Sequence, residues 1–255
     1  MTEEEKQSVM IVVGAMKGIV CVFTINPQEI VLILNCAMIM TRTRTDCMKL
    51  YTTTGTVKLR DRCNDLDVGL LMCNHWRNPR QWSYFAIDNG CYSAYAQGKD
   101  WNPDKFIGIM YRCKAEGFTP DFVVIPDIVA GGKKSLELSE RWGAFLKTEF
   151  PTWRFYLAVQ DGMIAHDVLQ SPLFANGTIS GIFVGGSMQW KMENIEYWSQ
   201  VAEQNDLAIH VGRIGPLDSM MKCYYAGIWS IDSTSWVQNK GWMETRVAEF
   251  RRMTS

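Results

Sequence analysis

Residues 83–92 read Ser-Tyr-Phe-Ala-Ile-Asp-Asn-Gly-Cys-Tyr. The first five residues are mostly aromatic or apolar, the composition of a buried strand. Asp-Asn-Gly is a turn signal, so Asp88 is predicted to close the strand. A carboxylate at the end of an apolar strand either caps the next element or is a functional group on a rigid support. The stretch alone leaves both interpretations open.

The same pattern recurs along the chain. Further apolar runs, most of them ending in polar or glycine residues, are found at 48–52, 67–73, 122–127, 154–160, 181–185, 208–212 and 228–232. With 83–88 they make eight predicted strands, alternating with segments of helical length and periodicity. This alternation predicts an α/β fold with a parallel sheet, and eight strands in 255 residues fit one (β/α)8 TIM barrel. The functional face of such a barrel lies at the carboxyl ends of its strands.

Helices are predicted between these strands, although the first is weak. The segments with helical periodicity are 103–116, 134–149, 164–170, 190–204, 217–226 and 241–252. Asn102-Pro103 is a typical helix start, with proline in the first turn. Between the first two strands, residues 61–65 predict only a short turn.

Residues 1–47 do not follow this pattern. Their apolar runs, 9–23 and 30–40, are shorter than the ~20 residues of a membrane span and carry Lys17 and Asn35. The acidic start is unlike a signal peptide. We predict an N-terminal extension outside the barrel, or upstream sequence from an early start codon, and a barrel domain at 48–255. A membrane span is the less favoured alternative.

Composition excludes several classes of site. A net charge of -1 means that nucleic-acid binding would need a local basic patch. The eight cysteines contain no C-x-x-C pair and the three histidines no H-x-x-x-H pair, so we expect no metal site and no cofactor. Scattered thiols inside apolar runs are typical of a reducing compartment, which predicts a cytoplasmic protein.

Polar side chains close four of the predicted strands. Asp88, Asp127 and Asp232 end strands three, four and eight, and Gln160 ends strand five. Two carboxylates that approach one mouth from different sides suit substitution at an anomeric carbon, where one attacks C1′ and the other handles the proton of the leaving group. Taken singly, each has an ordinary explanation as a cap.

Further residues near these strand ends suit a planar ligand. Asp and Gln together offer hydrogen-bond groups for the edge of a heterocycle. Gly185 and Gly186 would let the backbone approach a ligand, and the ring of Tyr92 could stack on a base. A tight glycine turn and a core tyrosine are the alternatives.

This ordered set of motifs resembles the tRNA-guanine transglycosylase superfamily. Asp-Asn-Gly-Cys-Tyr at 88–92 is similar to the family's Asp-Ser-Gly-Gly-Phe/Tyr motif. Pro-Asp at 120–121, together with Asp127, resembles the family's Pro-Asp…Asp segment, and Val159-Gln160 resembles its Val-Gln-Gly motif. Residues 184–186 resemble its Gly-Gly loop. Residues 211–212, 226–227 and 231–232 together resemble its Gly-Val-Gly…Gly…Asp segment. The resemblance covers residues 83–236.

The departures from the family pattern change the expected substrate. The zinc subdomain that follows the nucleophile in the tRNA enzymes is missing, and Ser-Thr-Ser-Trp at 233–236 replaces Pro-Thr-Arg. A shorter, zinc-free form resembles the DNA-guanine transglycosylase branch of deazapurine DNA modification, found with phages. The resemblance implies exchange of guanine in DNA for a 7-deazaguanine such as 7-cyano-7-deazaguanine, in the host cytoplasm if the protein is phage-encoded.

The resemblance also implies roles for the residues. Asp232 would attack C1′ and form a covalent glycosyl intermediate, while Asp88 would act as general acid and base. The substrate-binding residues would be Asn89, Tyr92, Asp127, Gln160, Gly185 and Gly186. Basic residues that could hold the strand are Lys133, Lys134, Arg213 and Lys240. The oligomeric state has no signature in the sequence.

Other functions compatible with the same pattern are a tRNA-guanine transglycosylase-like enzyme acting on RNA, a retaining glycoside hydrolase and a non-catalytic nucleic-acid-binding protein. Retaining hydrolases use Glu as often as Asp, and no predicted strand here ends in Glu. A metal-dependent hydrolase is disfavoured because histidine is scarce at the strand ends.

A chain that begins at Met48 should fold and keep its activity, because all eight predicted strands and every candidate site residue follow it. Circular dichroism and a base-exchange assay on the shortened chain test this. An insoluble product would show that the extension belongs to the core.

Overall fold

The computed structural model describes residues 47–53 and 57–255. Eight strands close into one parallel barrel in sequence order, because β8 pairs with β1. The strands are β1 Lys49–Thr52, β2 Val68–Met72, β3 Phe85–Ile87, β4 Val123–Val124, β5 Phe155–Val159, β6 Ile179–Val184, β7 Ala208–Val211 and β8 Ser230–Asp232. The predicted TIM-barrel fold is confirmed. The prediction for residues 1–47 lies outside the described residues, apart from Cys47.

The helices surround the barrel between successive strands. They are α1 Val57–Asp65, α2 Cys91–Ala96, α3 Pro103–Ala115, α4 Lys134–Glu149, α5 Ala165–Leu169, α6 Pro172–Ala175, α7 Met188–Gln204, α8 Leu217–Tyr225, α9 Ser235–Gln238 and α10 Glu249–Thr254. A 3-10 turn covers Pro79–Gln81, and a π-helical segment, Met243–Ala248, precedes α10. Within the described part of the chain, no helix combines the length and the apolar character needed to cross a membrane.

The sequence prediction was wrong at α1 and β4, and it did not include the short helices α2, α6 and α9. A nine-residue helix, α1, stands where a short turn was predicted. It buries only Cys63 and is otherwise mostly polar, so its apolar periodicity is too weak to be recognised. Strand β4 is two residues long instead of six, and its pairing with β5 ends after Ile125, because Pro126 has no backbone N–H to continue the ladder.

Alternation along the strands separates two apolar layers. Leu50, Leu70 and Ile87 belong to the large cluster that the helices cover. A second cluster fills the inside of the barrel and comprises Tyr51, Leu71, Ala86, Phe122, Val124 and Tyr156. These aromatic side chains block the barrel centre, so a ligand can enter only at an end of the strands.

The barrel interior is tight enough to require glycine on β6. A Cβ atom on Gly181 would lie 2.5 Å from Cε1 of Tyr156, whose ring stacks on Phe122 at 4.3 Å. On the outside, Gly108 lies exposed in α3 with no atom near the position of its missing Cβ.

We therefore expect opposite effects from two glycine-to-alanine changes. Gly181→Ala should lower the free energy of unfolding by about 1–3 kcal/mol through overpacking. Gly108→Ala should raise it by about 1 kcal/mol through helix propensity. Urea unfolding of both variants tests this, and equal effects would contradict the interior packing.

Candidate functional site

A cavity of about 1050 Å³ opens at the carboxyl ends of the strands. Asp88 follows β3, Asp127 follows β4, Gln160 follows β5 and Asp232 ends β8, and all four line this cavity. Parallel strands deliver these ends to one face because every crossover helix returns the chain to the opposite end. The structure thus brings together four side chains that are far apart in sequence.

The remaining predicted site residues fall into two groups. Those that line the cavity are Asn89, Tyr92, Gly185, Gly186 and Arg213. Lys133, Lys134 and Lys240 are exposed and do not contribute to its lining. Lys133 forms an ion pair with Asp167, with 2.9 Å between Nζ and Oδ1. Any contact of these lysines with a ligand would be made outside the cavity.

The carboxylate of Asp232 is held through one oxygen. Its Oδ1 lies 3.0 Å from Nε2 of His210 and accepts a 3.2 Å hydrogen bond from the backbone N–H of Arg213. Within the described residues, Oδ2 has no hydrogen-bond partner. Asp232 is 6% exposed, so its side chain is rigidly placed at the cavity wall with one oxygen available.

His210 was not identified as a site residue from the sequence. It lies in β7, completely buried, and its Nδ1 is 2.8 Å from Oγ of Ser230. Ser230 and Asp232 are two residues apart on β8 and therefore point to the same side of the strand. A polar residue within the apolar β7 run was the only sequence signal for this contact.

Asp88 has a different environment. Its Oδ2 accepts a long hydrogen bond of 3.3 Å from the backbone N–H of Gly90, and the thiol of Cys73 donates a second one. Burial, and next the nearby charges of Asp232 and Asp127, raise the pKa of Asp88 from 3.8 to about 6, although these hydrogen bonds oppose the rise. Burial and Asp88 also raise the pKa of the Cys73 thiol, which keeps it a proton donor. Cys73 was not predicted as a site residue from the sequence.

Asp127 is the centre of an amide network. Its Oδ1 accepts from Nδ2 of Asn89 at 2.9 Å, and its Oδ2 accepts from Nε2 of Gln160 at 2.8 Å. Burial raises its pKa to about 6, although the hydrogen bond from Asn89 opposes the rise. The amide of Asn89 also donates to the carbonyl of Ile125, so Asn89 orients Asp127 and has no free N–H.

Gln160 presents an acceptor to the site. Its Nε2 donates to Asp127 and, at 2.9 Å, to the carbonyl oxygen of Ile128. Both neighbours are acceptors, which fixes the orientation of the amide. Its buried Oε1 has no hydrogen-bond partner among the described residues, so it is available for a donor on a ligand.

The glycine loop after β6 is fixed on both sides. The N–H of Gly185 donates to Val159 at 2.8 Å, and the carbonyl of Gly186 accepts from Nη2 of Arg213 at 2.5 Å. Asp161 binds the next residue, Ser187, through both carboxylate oxygens, at 2.7 Å from its N–H and 2.6 Å from its Oγ. Gly186 has a φ of +74°, and a Cβ there would lie 2.3 Å from Asp161. Asp161 was not predicted as a site residue from the sequence.

Arg213 joins the loop after β7 to the cavity rim. Its backbone is left-handed, with a φ of +62°, and its guanidinium lies 4.0 Å from the ring centre of Tyr92. The fully buried Lys191 donates to the carbonyl of Gly212, immediately before Arg213. Burial, and next the positive charge of Arg213, lower the pKa of Lys191 to about 8. The guanidinium of Arg213 thus covers one ring face of Tyr92.

Comparisons with known proteins assign no relative. No family model matches the chain, and no curated protein matches it. Among the described residues, no cluster of three or more His, Cys, Asp and Glu could hold a metal ion.

The different hydrogen-bond partners of Asp88 and Asp127 predict unequal effects of amide substitution. The pKa of Asp88 is about 6 in the folded state, against an ordinary value of 3.8. Between pH 3.8 and pH 6 the native state therefore binds more protons than the unfolded state, so the free energy of unfolding falls as the pH rises through this range. Asp88→Asn removes that loss and should stabilise the protein at pH 8 by up to about 3 kcal/mol, with little effect at pH 3. Asp127→Asn removes a similar loss, because the pKa of Asp127 is also raised to about 6, but it places an amide N–H against the N–H groups of Asn89 or Gln160. It should therefore stabilise the protein at pH 8 less than Asp88→Asn does.

Urea unfolding at pH 8 and pH 3 measures both effects. An Asp127→Asn variant that is more stable than Asp88→Asn at pH 8, or an Asp88→Asn effect that does not depend on pH, would contradict the electrostatics of the cavity.

Proposed function

We propose that this chain is a base-exchange transglycosylase that replaces guanine in DNA with a 7-deazaguanine through a covalent intermediate on Asp232. One observation carries the proposal: two carboxylates line the same cavity with different hydrogen-bond surroundings. Asp232 is held by two donors on Oδ1, and its Oδ2 has no partner among the described residues, whereas burial raises the pKa of Asp88 to about 6. Such pairs divide nucleophile and acid–base roles between them.

In the first step, Oδ2 of Asp232 attacks C1′ of the target nucleotide. The Oδ2–C1′ bond forms while the bond from C1′ to the base breaks, and the electron pair of that bond leaves with the base. Protonated Asp88 donates its proton to the departing guanine. A carboxyl group with a pKa of about 6 holds a proton in an appreciable fraction of molecules near neutral pH.

In the second step, the incoming 7-deazaguanine attacks C1′ and Asp88 takes the proton from its ring nitrogen. The C1′–Oδ2 bond breaks and its electron pair returns to the carboxylate of Asp232. Both groups are then in their starting states, so the exchange requires no external acid, base or oxidant.

The base would bind between the amide network and the rim. Asp127 and the free Oε1 of Gln160 accept hydrogen bonds from the base edge, and Asn89 orients Asp127. The N–H of Gly185 is already used, so contacts from the glycine loop come from its other backbone groups. Tyr92, backed by Arg213, offers its remaining ring face for stacking.

The proposal of DNA as substrate rests on the resemblance of the motifs to the DNA branch. Arg77 and Arg213 are the arginines in the cavity lining, and Lys133, Lys134 and Lys240 would reach more distant phosphates. A guanine in a duplex must leave its stack to reach the carboxylates, at a cost of a few kcal/mol. RNA as substrate is the alternative that the experiment must separate.

Trapping the covalent intermediate tests the chemistry. The protein is incubated with 7-cyano-7-deazaguanine and DNA labelled in guanine, whose release measures exchange, or with DNA labelled in its backbone, whose adducts are resolved on denaturing gels. Asp232→Asn should abolish both exchange and adduct, because an amide is a poor nucleophile. Asp88→Asn should slow exchange by ~10²–10⁴-fold while a slowly formed adduct is still captured. The control is Asp65→Asn, a change at an exposed carboxylate on α1 away from the cavity lining.

Each alternative gives a distinct result. An adduct that survives in Asp232→Asn would assign the nucleophile elsewhere. Capture of tRNA in preference to DNA would keep the mechanism and change the substrate. Release of a free sugar from a glycoside, with no base exchange, would identify a retaining hydrolase.

A further inference from the structure

Asp232 is connected to a buried polar chain below the cavity. Ser230 on β8 is directly opposite His210 on β7 in the strand register, and both are fully buried. The distances are 2.8 Å from Oγ of Ser230 to Nδ1 of His210 and 3.0 Å from Nε2 of His210 to Oδ1 of Asp232. Burying polar groups inside a barrel is costly unless they are hydrogen-bonded. Here both ring nitrogens of His210 have partners, Ser230 on one side and Oδ1 of Asp232 on the other.

The ring of His210 has little freedom to turn. It stacks on Phe183 with a centroid distance of 4.9 Å and an interplanar angle of 16°. Phe122 lies 5.0 Å away at a tilt, and Tyr51 packs edge-on at 5.8 Å. Tyr51 is itself held in place, because its hydroxyl donates to Asp121. Aromatic packing therefore keeps both ring nitrogens of His210 aligned with Ser230 and Asp232.

The carboxylate of Asp232 determines which ring nitrogen of His210 donates and which accepts. A carboxylate can only accept hydrogen bonds, so Nε2 of His210 must donate to Oδ1 of Asp232, as the N–H of Arg213 does. Nδ1 can then accept from the hydroxyl of Ser230, which gives a neutral imidazole with its proton on Nε2. One proton on the imidazole is enough to make both hydrogen bonds, because the hydroxyl of Ser230 supplies the other.

We propose that His210, oriented by Ser230, is a positioning residue that makes Oδ2 of Asp232 the reacting oxygen and assists the return of the carboxylate. This inference rests on the proposed function. When Oδ2 bonds to C1′, Oδ1 becomes the carbonyl oxygen of a neutral ester. A hydrogen bond from Nε2 is stronger to a carboxylate than to an ester. It therefore favours the second step, in which the C1′–Oδ2 bond breaks and its electron pair returns to Asp232.

Loss of this hydrogen bond should therefore slow release more than attack. In His210→Phe combined with Ser230→Ala, the aromatic packing is kept and no buried hydroxyl is left without a partner. Exchange should fall about 10- to 100-fold, the rate equivalent of one hydrogen bond to a charged group. The fraction of enzyme held as adduct at steady state should rise. His210→Gln is the conservative control, because its amide N–H can take the place of Nε2–H, and it should exchange within about tenfold of the wild type.

The measurements are single-turnover rates of adduct formation and adduct release on labelled DNA, with folding checked by circular dichroism. Formation and release that fall by the same factor, or a Gln variant no better than the Phe variant, would overturn the proposal. A merely structural role would lower the amount of folded enzyme without changing the ratio of the two rates.

A second measurement decides the positioning without any substrate. In the resting protein, ¹⁵N spectra of the histidine rings at pH 7.5 should show His210 as the neutral Nε2–H tautomer, with its signals assigned by their loss in His210→Gln. A proton on Nδ1, or on both nitrogens, would overturn the inference. If the wild type exchanges no base yet shows the Nε2–H tautomer, the proposed function fails while the placement of Asp232 by His210 stands.

Discussion

Closure of the barrel between β8 and β1 is the constraint on which the rest of the structure depends. Leu50 pairs with Ile231 and Tyr51 with Asp232, so the last strand is fixed between the first and the seventh. This pairing turns a linear series of strand ends into a ring. Asp232 then shares one cavity with Asp88, although 144 positions separate them in the numbering of the chain. Without closure, β8 would be an edge strand and its carboxylate would have no opposing wall.

Burial of several carboxylates in one cavity has an electrostatic cost, which the hydrogen bonds distribute unequally. Asp127 receives amide donors on both oxygens, and Asp232 receives two donors on one oxygen. Asp88 has a thiol and one long backbone contact, and its pKa is raised to about 6. Carboxyl groups with so few hydrogen-bond donors are typical of sites that transfer protons. Such a group lowers the stability of the folded protein relative to a variant with a neutral side chain at the same position.

The loops around the cavity are held by charges that hydropathy does not reveal. Asp161 fixes the loop after β6, while Arg213 links that loop to the one after β7. Lys191 supports the second loop from behind, fully buried, by donating to the carbonyl of Gly212. These contacts place the N–H of Arg213 against Asp232, so the geometry of the carboxylate depends on cations that lie outside its own strand.

The sequence by itself determined the eight strands and the polar residues that close four of them, because hydrophobic alternation and strand-end turn signals are local properties of the chain. It missed α1, whose single buried residue leaves no periodicity, and it did not indicate that the amide of Asn89 donates to Asp127 and Ile125. Only the tertiary structure decided which oxygen of Asp232 is free, since His210 meets it across 22 positions of sequence. Hydropathy reports that a side chain is buried, whereas its partner is set by strand register and barrel closure, which are long-range properties of the whole fold.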